Sequence, residues 1–164
     1  MSLSQPLSME LQQESATTRR LFERLPESSL LWQPHIKSMS MGRLAAHIVQ
    51  LIQLLNAVLL QDDYDVASTE KTAEPENVAA ILRLFDQSLA AAAENLKKQS
   101  DERLSATWRF RMGEQVIFEL PRTLAIRSVI LNHLIHHRGQ LSVYLRLQNV
   151  PLPSIYGPTA DETV

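Results

Sequence analysis

The chain has 164 residues, 45% of them hydrophobic, a formal net charge of −2 and no cysteine. This is enough apolar material for one core, read here as a single domain over residues 1–164. The missing thiols exclude a disulfide scaffold, a thiolate zinc finger, a cysteine nucleophile and an iron–sulfur cluster, and they fit a reducing cytoplasm.

Lys and Arg are scattered without a basic stripe, so nucleic-acid binding driven by phosphate neutralisation is not expected. The opening MSLSQPLSMELQQES lacks the basic-then-apolar order of a secretory signal. A first helix is predicted from about Leu7 to Leu25, stopped by Pro26. Pro34 and the Ser, Met and Lys around it mark a loop. A second helix runs from near Ser40 to about Gln61, where Asp62, Asp63 and Asp65 break the pattern. Its apolar stretch Leu44 to Leu60 is interrupted by His47, Gln50, Gln53 and Asn56, which favours a buried helix over a membrane span. Val66 to Ala73 reads as a surface loop, and Pro75 as an early residue of a third helix reaching about Gln99.

The period then changes. In TWRFRMGEQVIFEL, Thr107 to Leu120, Trp108, Phe110 and Met112 alternate, as do Val116 and Phe118, with Gly113 between the two runs: a short β-hairpin. Pro121 opens a fourth helix to about Gln148, and the proline-rich tail should be irregular, with Tyr156-Gly157-Pro158 as a turn. Four long helices and one hairpin predict an all-α four-helix bundle with a small β-hairpin before the last helix. The long first and third connections leave simple up-down order open.

Four of the five histidines, His47, His133, His136 and His137, fall in predicted helices; His35 lies in the loop. His133 and His137 are four apart, so they share a face, with Val129, Ile130, Gln140 and Tyr144 around them. His136 lies on its flank and Arg138 points away toward a structural ion pair. His47 stands on the stripe of Leu44, Leu51, Leu54 and Val58, where packing would prefer leucine. A buried imidazole needs a partner. One divalent metal ion would satisfy all three, and three nitrogens with an open position is a catalytic rather than structural arrangement; hydrogen-bonded core histidines are the alternative. The segment H-L-I-H-H lacks the glutamate of H-E-x-x-H, which disfavours that protease chemistry. The candidate acids for metal-activated water, Asp62, Asp63 and Glu114, fall on predicted loops, which mildly favours activation of a thiol. Gln140 and Tyr144 are candidates for orienting a ligand. Gly139 inside a helix points to close approach by another helix, and Leu131, Leu134, Leu141 and Leu145 form a second apolar stripe, to be covered by the bundle or by a dimer partner.

Three blocks carry a family resemblance: SMGRLAAHI from Ser40, NHLIHHRGQL from Asn132 and PSIYGPTADE from Pro153. In this order, with the hairpin before the last helix, they resemble the DinB-like, or YfiT-like, family over most of the chain. The resemblance implies a four-helix bundle of unusual connectivity, often a homodimer. It also implies a zinc or nickel ion held by His47, His133 and His137, with His136 the competitor for His137. The activity it implies is thiol-dependent transfer or isomerisation, joining a low-molecular-weight thiol to an electrophilic substrate. A metal-dependent hydrolase and a non-catalytic metal- or ligand-binding module are the other readings.

Overall fold

The computed structural model describes residues 2–69 and 75–163. The molecule is mostly helical, with one small sheet. In chain order come α1 (Ser4–Phe22), α2 (Met41–Leu60), β1 (Asp63–Asp65), α3 (Val78–Lys97), α4 (Asp101–Ser105), β2 (Thr107–Met112), β3 (Gln115–Pro121), α5 (Arg122–Ala125) and α6 (Asn132–Leu147). Between α5 and α6 the backbone stays helical but widens into a π-turn over Ile126–Leu131. The fourth predicted helix is therefore one run over 122–147 with a π segment inside it. The short α4 adds a helix that the sequence reading omitted.

Side-chain chemistry sets the helix starts. Ser40 caps α2, its Oγ accepting from the Arg43 N–H at 3.2 Å. The Trp32 and Leu30 carbonyls accept from the next two N–H groups, Met41 and Gly42, at 2.9 and 2.8 Å. A Cβ on Gly42 would stand 3.2 Å from the Leu30 carbonyl, so this close approach needs glycine. Asn77 caps α3 by accepting from Ala80 at 2.8 Å, and Glu27 accepts from Val78 at 3.0 Å. Pro75 therefore lies before the helix rather than in its first turn, a correction to the sequence reading: the asparagine is the stronger start signal. Val66–Ser68 is a single 3-10 turn, and residues 70–73 of the expected loop lie outside the described residues.

α2 packs on α3 and α6, and α1 packs on α3 and α6. The long helices thus follow the order α1, α3, α2, α6 around the core, and the sequence-consecutive α1 and α2 are not adjacent in it. By length and composition alone, α2 is the one described helix apolar enough to cross a membrane. Its Leu44, Ile48, Leu51, Ile52, Leu55 and Val58 are instead buried in the core. Leu131, Leu134, Leu141 and Leu145 are buried too, so the chain itself covers the second stripe of the last helix.

The hairpin forms as expected, with Gly113 at φ 61° in its turn. It gains a strand the sequence did not reveal. β1 pairs parallel with β2, in the order β1-β2-β3, and stacks Tyr64 on Phe110 and Phe110 on Phe118, with ring centroids 5.9 and 5.1 Å apart. On the last helix, Arg138 is buried against Glu14 of α1 at 2.7 Å and donates to the Tyr156 hydroxyl at 2.7 Å. With Arg146–Asp161 and Arg20–Glu162, this pins the tail. Gly139 is a correction: a Cβ there would meet nothing within 4 Å, so no helix approaches it.

Arg122, fully buried, is the knot between the two histidine-bearing helices. It donates to the Val58 and Gln61 carbonyls at the end of α2, to those of Ala106 and Thr107 where β2 starts, and to Asp62 at 2.6 Å. Replacing it leaves several carbonyls without donors. Arg122→Leu is expected to cost about 3 kcal/mol in urea denaturation, whereas Asp62→Asn, at a 79% exposed side chain, should leave the urea midpoint close to wild type.

Candidate metal centre

His133 and His137 project from one face of α6, one turn apart, and α2 lies against that helix and brings His47 across to them. The three rings meet through their Nε2 atoms. His133 Nε2 is 2.8 Å from that of His137 and 3.5 Å from that of His47, and all three donor atoms fall within 4.8 Å of one another. The three residues predicted from sequence are thus together, two half-buried and His137 buried.

The donor chemistry fits a metal ion. Three nitrogens about 2.0–2.1 Å from a tetrahedral zinc stand about 3.3 Å apart, close to the observed 2.8 and 3.5 Å. Two of the rings are also in the protonation state a metal requires. Burial, followed by the neighbouring His47, pulls His133 below the usual imidazole range, and burial lowers His137 to about 4. Both are neutral at pH 7, with a lone pair to give. The groups acting on them are other histidines, the Gln140 amide and the Val129 carbonyl, with no carboxylate among them.

His136 stays outside the trio. It is exposed, with its ring centroid 4.8 Å from that of His137. His35 is an exposed loop residue whose Nδ1 accepts from Lys37 N–H. Tyr144 is half-buried and packs edge-on against Trp32 at 5.7 Å. Gln140 faces its own helix, its Oε1 2.7 Å from His137 Nδ1. Gln50 was missed: its Oε1 lies 3.3 Å from His47 Nδ1. A signal for it existed, since His-x-x-Gln occurs twice, at His47/Gln50 and His137/Gln140. Of the acids considered from sequence, Asp62 pairs with Arg103 and Arg122 and Asp63 with Arg111, while Glu114 is exposed in the hairpin turn. Asp62 follows His47 by fifteen positions, about 22 Å along a helix.

Comparison with known proteins places the chain in a family. The DinB family model matches residues 1–163. The chain belongs to the DinB family. The uncharacterized protein YrdA of Bacillus subtilis (strain 168) is 28% identical over 150 residues, covering 91% of this chain and 85% of that protein. Two solved DinB-like proteins share the fold. The one from Bacillus cereus ATCC 10987 has TM-score 0.71 and 21% identity over 92% of this chain and 95% of its own. YjoA of Bacillus subtilis has TM-score 0.71 and 19% identity over 92% and 96%. In this DinB family member the three histidines form a group that could hold a metal ion.

The neutrality of His137 has a consequence for the metal-free chain. Its unfolded form takes a proton near pH 6.5, its folded form only at about 4. Between these values protons favour the unfolded chain, so this contribution to stability is fully present above pH 6.5 and is lost as pH falls toward 4. Thermal melts between pH 7.5 and 4.5 should show a steeper fall for the wild type than for His137→Leu. Equal slopes would contradict a neutral, desolvated His137.

Proposed function

We propose that the chain holds one divalent metal ion, zinc or nickel, on the Nε2 atoms of His47, His133 and His137. We further infer that this centre activates a low-molecular-weight thiol for transfer to an electrophilic substrate. The observation that carries the metal is the convergence of three nitrogen donors, two of them in rings kept neutral by burial. The preference for a thiol comes from the absence, among the described residues, of a carboxylate acting on His133 or His137. Hydrolysis calls for a general base beside the activated water, and of the acids considered for that role Asp62 and Asp63 are tied to arginines. A metal ion held by three neutral ligands keeps its full double charge, and it supplies Lewis acidity that lowers the pKa of a bound thiol without help from a base.

The protein's own groups would act around that point. The three imidazoles would hold the ion, and Tyr144, two turns farther along α6, packs edge-on against Trp32. Tyr144 is the residue proposed to meet the substrate. Gln140, already engaged with His137, is assigned to the histidine and not to the ligand. The long helices α1, α3, α2 and α6, in that order around one core, are read as a four-helix bundle in which α2 and α6 face each other across the site.

Protein purified without a polyhistidine tag should carry one metal ion per chain. His47→Ala, His133→Ala and His137→Ala should each lose it, with affinity down at least about a hundredfold, and His136→Ala should keep it. Metal-loaded protein mixed with a panel of low-molecular-weight thiols and a halonitroarene should show thiol-dependent turnover that His137→Ala abolishes. Stoichiometric metal with no turnover for any thiol would remove the transferase reading and leave a metal-binding module.

A further inference from the structure

Each imidazole of the trio has a second nitrogen, and what that nitrogen touches decides where the ring's single proton sits. A neutral histidine in water prefers to carry its proton on Nε2, which would point an N–H rather than a lone pair into the site. The trio needs the opposite tautomer, with the proton on Nδ1. For His133 the group on the backbone side is the Val129 carbonyl, which can only accept and so favours a proton on the ring nitrogen nearest it. That carbonyl lies in the π-turn just before α6, an irregularity of a kind often found beside functional sites.

His47 and His137 have side-chain acceptors in the equivalent place. Gln50 Oε1 is 3.3 Å from His47 Nδ1 and Gln140 Oε1 is 2.7 Å from His137 Nδ1. Both glutamines are three residues after their histidine. A helical side chain leans back over the turn before its own Cα, so this spacing lays the amide along the ring. The same device thus occurs on both of the helices that supply the trio. Neither amide is needed by the core: Gln50 is half-buried and Gln140 exposed.

We propose that Gln50 and Gln140 are positioning residues that hold His47 and His137 in the Nδ1–H tautomer, so that both present their Nε2 lone pairs to the common point. The inference rests on the metal-site reading for its purpose, but it concerns proton placement, which can be measured with or without metal. Fixed ring orientation and raised ligand basicity are what such outer contacts supply, and losing one costs about 10–100-fold in metal affinity.

The test uses full-length protein labelled with 15N-histidine, read by long-range 1H–15N correlation at pH 7.5 before and after adding zinc, alongside Gln50→Leu, Gln140→Leu and Gln140→Glu. In wild type, the Nδ1 of His47 and of His137 should be protonated and slow to exchange. Gln140→Leu should release His137 alone and Gln50→Leu His47 alone, with circular dichroism unchanged. Zinc affinity should fall about 10–100-fold in Gln140→Leu and less in Gln50→Leu, where the contact is longer; Gln140→Glu, which keeps an acceptor, should restore it to within about threefold of wild type. Nε2–H tautomers at His47 and His137 in wild type, or leucine variants whose tautomers and affinity match wild type, would overturn the proposal. If zinc leaves every histidine signal unmoved, the metal reading falls, and the metal-free tautomers still decide the role of the glutamines.

Discussion

The structure depends on the seam where α2 lies against the last helix. Along most of that seam leucine and isoleucine meet and are fully buried, which is what apolar stripes at helical spacing are driven to do. At one level, three imidazoles stand in their place. Burial keeps the rings of His133 and His137 neutral among apolar neighbours. Nε2 atoms 2.8 and 3.5 Å apart can share a proton in an N–H···N hydrogen bond or, with every lone pair turned inward, a metal ion, the one partner that engages all three donors at once.

The rest of the molecule acts on that seam from its two ends. Arg122 ties the start of the last helical run to the end of α2 through the Val58 and Gln61 carbonyls, fixing how the two helices slide against each other. On the far side of α6, Arg138 holds Glu14 of α1 and the tail through Tyr156. Charged groups do the fastening at the periphery of the site, and none of the carboxylates they use acts on His133 or His137. The separation matters electrostatically, because a carboxylate beside the histidines would raise their pKa and offset the charge of a bound cation.

The three histidines were legible in the sequence because they break a strong pattern: an i, i+4 pair on one helix and a single polar residue on an apolar stripe of another. The hairpin was legible for the same reason, its two alternating runs flanking Gly113. β1 was not. Three residues, Asp-Tyr-Asp, carry no period, and their pairing with Arg109, Phe110 and Arg111 is made across more than forty positions. The π-turn was hidden because Ile126–Leu131 has the composition of an ordinary helix, and only its hydrogen-bond register differs. Gln50 was passed over because glutamine on a helix reads as a solvated residue until its distance to His47 is known. Gly139 misled in the other direction, since a helical glycine suggests close packing and here faces open space.

The central claim is that three Nε2 atoms share one metal ion. It is tested most directly by an anomalous-difference map from crystals of the zinc-loaded chain. The account predicts one peak per chain, about 2.0–2.1 Å from the Nε2 of His47, His133 and His137, with no fourth protein ligand. A peak bound through His136 or through an Nδ1 atom, or no peak between α2 and α6, would contradict it.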